Sequence, residues 1–284
     1  MPDQSTVLTV LNLKGGVGKT HTAWLLASVC QERKKRILLI DTDTQGNLSG
    51  SFAERDAQPG IEALFDPAAE PSLIPLIRHT TYSHIDLISA GPALARFDLS
   101  DQKAWEQADL HFSLVDPIAE LRTRYDLIVF DCPPRLSLVS FAALCASDHV
   151  IIPLEAADWG AQGIVQVTGA IDYVHQRFNQ KLHLLGYLVS RYKRARAYQQ
   201  SYLKQLRQHF GYLAFDTVIP DLAQFEKSVT DRIPITLSAP SSLEAGIARR
   251  FFAEVHRRTE RIRRSGHPGG GARVHTGAVA ATSV

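Results

Sequence analysis

Residues 7–20 read VLTVLNLKGGVGKT. The apolar run Val7–Leu13 passes directly into the glycine-rich heptad Lys14-Gly15-Gly16-Val17-Gly18-Lys19-Thr20, and a helical pattern follows from about Lys19 to Arg33. A buried strand, a glycine turn and a helix, in that order, form the setting in which a backbone loop wraps phosphate. The glycines let N–H groups converge on phosphate oxygens, and the helix N-terminus adds its dipole. Lys19 would reach the terminal phosphates, and the Thr20 hydroxyl would ligate Mg2+. The loop departs from the ordinary pattern at one point. A glycine is expected five residues before Gly18, where this chain has Leu13, and a second lysine, Lys14, follows. Two ammonium groups on one small loop repel unless both face dense negative charge. Lys14 is therefore expected to reach a triphosphate held by another subunit.

Outward from this loop, strands are expected at Arg36–Asp41, Ile85–Ser89, Tyr125–Asp131, His149–Pro153, Leu182–Ser190 and Ala214–Ile219. Helices are expected near 103–123, 137–146, 161–179, 198–210 and 243–264. Near-continuous apolar strands alternating with helices predict an α/β fold, a doubly wound and mostly parallel sheet with helices on both faces. A single domain over 1–264 is expected, followed by a Gly/Ala/Ser-rich tail, 265–284, read as disordered. With 45% AVILMFWYC and 21% charged residues in 284, the chain has material for a sizeable core, and collagen-like or wholly disordered classes fall away. No apolar run approaches the roughly 18 residues of a membrane span. The start, MPDQS, lacks the basic-then-apolar order of a secretory leader. Cys30, Cys132 and Cys145 show no CxxC spacing, so a reduced, cytoplasmic setting is expected.

Three strings carry a family resemblance. The heptad KGGVGKT resembles the deviant Walker A loop of the ParA/MinD class of P-loop ATPases. Asp41-Thr42-Asp43-Thr44-Gln45-Gly46-Asn47 is similar to that class's switch I motif, and Asp131-Cys132-Pro133-Pro134 to its Walker B and switch II. Order and spacing match from about Thr6 to Arg258, and the DxDxQGN and DCPP strings lie nearer the ParA partition branch than the MinD branch. The resemblance implies ATP and Mg2+ as cofactors and Lys14, Lys19 and Asp43 as catalytic residues, with Asp43 orienting the attacking water. It implies phosphate binding by Lys14, Gly15, Gly16, Val17, Gly18, Lys19, Thr20 and His21, and a metal shell from Thr20, Asp43 and Asp131. Asp131 also ends a strand as a Walker B acid does, and Cys132 beside it reads as a packing residue. Pro220 and Asp221 are carried over as lying along adenine. Thr44 stands where the class usually has Pro, His21 where it often has Thr or Ser, and Arg135 where Ser is common. His21 still offers a backbone N–H. Arg135 is open between a salt bridge, a contact to a partner subunit and a contact to an activator.

Charge is uneven although the net is only +2. The stretch 191–207 holds six basic residues and no acid, and 246–264 holds seven Arg against Glu254 and Glu260. A polyanion partner or two solvated helix faces would each account for this. In the resembled class the ATP-bound dimer binds DNA without sequence preference, and Arg191, Lys193, Arg194 and Arg196 lie where it carries DNA-contacting arginine. In the last helix, Ile247, Phe251, Val255 and Ile262 form a stripe that docks on the sheet, while Arg249, Arg250, Arg257, Arg261 and Arg264 line the other face. A membrane-surface helix is the rival reading of that face. It is set aside because the MinD-type membrane segment lies beyond the core helix, where this chain is Gly/Pro-rich.

The resemblance thus implies a cytoplasmic, nucleoid-associated ATPase for plasmid or chromosome partition. It would be slow alone, dimeric with ATP, and stimulated by a ParB-like partner. The alternatives are a positioning ATPase for a protein cargo, a MinD-like membrane-associated ATPase and a metabolic P-loop ligase.

Overall fold

The structure, a computed structural model, describes residues 5–52, 59–66, 72–97, 109–156 and 161–265, without the side chains of 161 and 162. The expected tail beyond Ser265 and the first part of the helix expected at 103–123 lie outside these residues.

Seven strands form one sheet: β1 (Thr6–Val10), β2 (Ile37–Asp41), β3 (Arg78–His79), β4 (Ile85–Ile88), β5 (Leu127–Asp131), β6 (His149–Glu155) and β7 (His183–Ser190), in the order β3-β4-β2-β5-β1-β6-β7. All neighbours are parallel except β3, which pairs antiparallel with β4. Every residue of β2, β4 and β5 is buried, because helices cover both faces, and that is why β2 and β5 read as apolar runs up to their terminal acids. One face carries α1 (Lys19–Glu32), α7 (Ala223–Thr230), α8 (Ile235–Ser238) and α9 (Leu243–Ser265), which pack with Leu8, Val10, Leu39 and Val129. The other carries α3 (Val115–Leu121), α4 (Leu138–Ala146), α5 (Ala161–Arg177) and α6 (Ala197–Phe210), packed against Val7, Ile40, Ile128 and Ile152. Alternate strand residues feed opposite cores. The short α2 (Asn47–Phe52) follows β2.

The doubly wound, mostly parallel architecture expected from the sequence is present. The register matters most for function. Val10 of β1 and Asp41 of β2 both pair with Asp131 of β5, so the ends of three adjacent strands meet at one carboxyl edge.

One expected strand is absent. Residues 214–219 run extended beside β7, with Phe215 and Ile219 donating N–H bonds to Tyr187 (2.9 Å) and Val189 (2.9 Å), but they make only isolated bridges. Between those contacts the backbone N–H groups of Asp216 and Thr217 donate to the Glu254 carboxylate of α9, each at 2.8 Å. A side chain thus takes donors that a ladder would use. Burial works against the Glu254 charge, but hydrogen bonds from Thr217 and Asp216 and the Arg258 guanidinium outweigh it, and its pKa lies below the usual value. Arg258 bonds Glu254 at 2.8 Å and also donates to the carbonyls of Leu185 and Ala214.

The stripe expected in the last helix is in place, with Ile247, Phe251 and Val255 buried and Ile262 packed against them. Its arginine face is partly engaged within the chain: Arg249 pairs with Glu32 at 2.5 Å, and Arg261 lies over Tyr212.

Glu254→Ala leaves the largely covered Arg258 without its carboxylate and frees two backbone donors. A loss of about 3–5 kcal/mol is expected, read as a lowered midpoint in urea unfolding.

Candidate active site

The heptad leaves β1 and enters α1 through Gly18, whose φ of 89° only glycine adopts readily; Gly16, at 76°, is alike. A Cβ at Gly18 would also sit 3.0 Å from Ser190 Oγ. That hydroxyl donates to the Val17 carbonyl and ties the loop to the end of β7. On the other side, Asn12 Nδ2 donates to the Pro153 carbonyl at 2.6 Å while Asn12 Oδ1 accepts the Lys14 N–H at 3.0 Å. The loop is therefore braced by both β6 and β7. No side chain caps α1, so its first-turn donors suit an anion. Lys19 is buried and its ammonium donates to the Lys14 carbonyl at 3.0 Å. Burial lowers its pKa, against the pull of Asp131 and Asp43.

The three acids play different parts. Asp41 is saturated: Oδ2 accepts from the Ser49 N–H (2.8 Å) and hydroxyl (2.7 Å), and Oδ1 from the Asp43 N–H (3.0 Å). Its pKa rises to about 6 because burial outweighs those bonds. It fixes the turn that carries Asp43. Asp43 is half-buried, and its Oδ1 accepts the Gln45 N–H at 3.0 Å. Asp131 Oδ2 accepts the Thr20 hydroxyl at 2.7 Å, whereas its Oδ1 is buried with no hydrogen-bond partner. Burial first, and Asp41 next, push the Asp131 carboxyl well above the usual range. An orphaned buried acceptor beside a threonine hydroxyl is a donor set that fits Mg2+. Among the described residues no three His, Cys, Asp or Glu form a metal cage. That too is in keeping with a cation held by one or two protein groups and phosphate. Cys132 is buried, with its thiol pushed up to about 12, and is suited to packing rather than attack.

A cavity of about 670 Å³ opens over the loop. Gly15, Gly16, Gly18, Lys19, Thr20 and Asp43 line it, and Pro220 and Asp221 line it as well, so the structure brings the expected phosphate and base residues together. His21 also lines it; its ring stacks edge-on against Phe225 at 4.9 Å, and burial lowers its pKa to about 4. Sequence reasoning missed the wall formed by Trp24, Leu222, Phe225 and Val229. The three-and-four spacing of Leu222, Phe225 and Val229 was the available signal for α7.

The other expected residues are scattered. Lys14 does not line its own chain's cavity; its ammonium lies 3.5 Å from Glu155 Oε2. Of the four basic residues expected to face DNA, Arg191 lines the cavity and Lys193 Nζ lies 3.0 Å from Asp221 Oδ2. Arg194 lines a separate groove with Lys204 and Arg207, and Arg196 donates to the Tyr198 hydroxyl at 2.8 Å. Arg135 Nη2 donates to Thr44 Oγ1 at 3.2 Å, so the two departures in the switch motifs touch each other.

A family model described as an AAA domain matches residues 5–184. The chromosome-partitioning ATPase Soj of Thermus thermophilus is 31% identical over 262 residues, covering 89% of this chain and 96% of that protein. The chromosome partitioning protein ParA of Myxococcus xanthus is 31% identical over 234 residues, 81% of each chain. Among solved structures, a cobyrinic acid a,c-diamide synthase from Mycobacterium smegmatis with bound ADP and magnesium superposes with a TM-score of 0.75 at 25% identity, covering 90% of this chain and 96% of that one.

Asp131→Asn keeps the hydrogen bond to Thr20 but removes the charge. Nucleotide binding measured with Mg2+ is expected to weaken by roughly 10–100-fold, while binding in EDTA stays as in the parent. Equal losses in both titrations would remove the metal from this carboxylate.

Proposed function

The chain belongs to the ParA-type P-loop ATPases, and from that premise we propose that it partitions DNA: an ATP-dependent homodimer that binds DNA without sequence preference and lets go on hydrolysis. The observation that carries the dimer is the placement of the two lysines. Lys19 is buried over its own loop, whereas Lys14 stands outside its own cavity against Glu155. Lys19 neutralises phosphate within the subunit, and Lys14 swings from Glu155 to the triphosphate of the mate. Nucleotide occupancy and pairing then become one event.

Within the closed site Asp43 holds the attacking water, positioned by the Asp41 turn. Thr20 and Asp131 hold Mg2+, which offsets phosphate charge when bound. Pro220 and Asp221 border the base. Hydrolysis is slow until a ParB-like partner acts. The outward basic groups, Arg194 and Arg196 with Lys204 and Arg207 of α6, supply the DNA surface, whose grip weakens steeply with salt. Among the described residues no helix is long and apolar enough to cross a membrane. The likeness to an amide synthase structure supports a second reading, an ATP-dependent ligase; it requires turnover that depends on a small acceptor and ignores DNA.

The dimer is tested by light scattering after gel filtration with ATP. Asp43→Ala should run as a dimer, and Asp43→Ala combined with Lys14→Ala as a monomer that still binds nucleotide. A double variant that stays dimeric would contradict the role given to Lys14.

A further inference from the structure

We propose that Arg191 is a nucleotide-binding residue, which grips the polyphosphate from the β7 side and couples the basic segment 193–196 to nucleotide occupancy. The proposal rests on reading the cavity as an adenine-nucleotide site. Three observations carry it. First, the backbone at Arg191 is left-handed, with φ 52°. A bulky residue holds that conformation only where its surroundings enforce it, and such positions gather at functional sites. Here both flanks are pinned. The Ser190 hydroxyl bonds the Val17 carbonyl, and Tyr192 exchanges hydrogen bonds with the base segment, donating to Ile219 O at 3.1 Å and accepting from the Asp221 N–H at 3.1 Å.

Second, the exposed side chain reaches back to the phosphate loop. Arg191 Nη1 donates to the Gly16 carbonyl at 3.3 Å, and the guanidinium lines the same cavity as Lys19 and Thr20. Among the described residues this is the only hydrogen bond of the guanidinium, and it forms no ion pair. A guanidinium carries five N–H donors and matches phosphate geometry, so most of its donors are left for a ligand of the cavity that it lines. Asp221, the nearest acid on the base segment, is taken by Lys193 at 3.0 Å.

Third, the segment that begins at Arg191 is the one that bears Arg194 and Arg196. Its first residue touches the phosphate loop and its third touches Asp221 beside the base, so a nucleotide in the cavity meets both anchors. Both anchors are already formed, and a nucleotide in the cavity adds its own contacts to the segment that carries the outward arginines.

ADP isolates this role, because it does not call on pairing of subunits. The full-length protein is titrated with a fluorescent ADP. Arg191→Gly, which accepts a positive φ, removes the side chain without straining the turn. It should raise the ADP dissociation constant roughly 10–100-fold, the loss expected for a charge-assisted hydrogen bond. Arg191→Lys should recover part of it, and thermal unfolding without nucleotide should be unchanged in both. The double variant Arg194→Ala with Arg196→Ala should bind ADP like the parent and lose co-sedimentation with DNA. The proposal is overturned if Arg191→Gly binds ADP like the parent, or if its loss is matched by a lower melting temperature that Arg191→Lys does not restore. A parent protein that binds no ADP would instead strike at the nucleotide reading itself.

Discussion

Thr20 and Asp131 are separated by more than a third of the chain, yet the hydroxyl and the carboxylate meet at 2.7 Å. They meet because β1 and β5 are neighbours in register, with Val10 opposite Asp131. The loop leaving β1 can then turn back over the end of β5 only if Gly16 and Gly18 take left-handed backbone angles. The rest of the site depends on this arrangement. With β2 on the far side of β5, Asp41 joins Asp131 at the same edge, and two carboxylates are buried side by side. Burying like charges together is costly. The chain answers in two ways, covering Asp41 with hydrogen bonds and leaving one oxygen of Asp131 without a partner. The first makes a rigid support for Asp43. The second leaves an acceptor whose chemistry fits an oxygen-seeking cation.

Much of this was readable in the sequence because it rests on local chemistry. The glycines of the loop, the acids ending β2 and β5, and the apolar runs between them are short-range signals whose meaning does not depend on distant residues. The expected strand at 214–219 failed for the opposite reason. Its apolar content suits a strand, but Glu254, far along in sequence, takes the N–H groups of Asp216 and Thr217. A competing acceptor on another element is invisible to periodicity. The cavity wall on α7 was missed because that helix is short and follows Pro220 and Asp221, residues that read as a turn.

The basic stretches show the same limit. Counting charge treats every Arg and Lys as equally available, whereas in the fold many have partners. Arg258 is spent on Glu254 and the Leu185 and Ala214 carbonyls, Arg249 on Glu32 and Lys193 on Asp221. A surplus of +11 over two segments therefore overstates the field outside. The outward groups that remain near the cavity, Arg194 and Arg196, are close in sequence to Arg191, which lines it, and to Lys193, which pairs with Asp221. Where a segment has a φ-positive residue at its start, neighbouring side chains leave in unrelated directions, and sequence adjacency ceases to predict a shared surface.

The placement of Lys14 bears on why two lysines persist on so small a loop. A single ammonium would satisfy the phosphates of one subunit, and a second on the same side would raise the local potential at a cost. Glu155, at the end of β6, holds the Lys14 ammonium at 3.5 Å, while Lys19 is buried and bonds the Lys14 carbonyl. The pair is half-exposed and therefore weak, which suits a contact meant to be exchanged. A stronger, buried pair would lock the lysine at home. A lysine with no acid at all would disturb the empty loop. An exposed ion pair at the rim keeps the ammonium nearby and yields it to a denser negative charge. A triphosphate presented by a second subunit is such a charge, whereas ADP, lacking the terminal phosphate, offers less. In the proposed dimer, the weakness of the Lys14–Glu155 contact would let pairing depend on which nucleotide is bound.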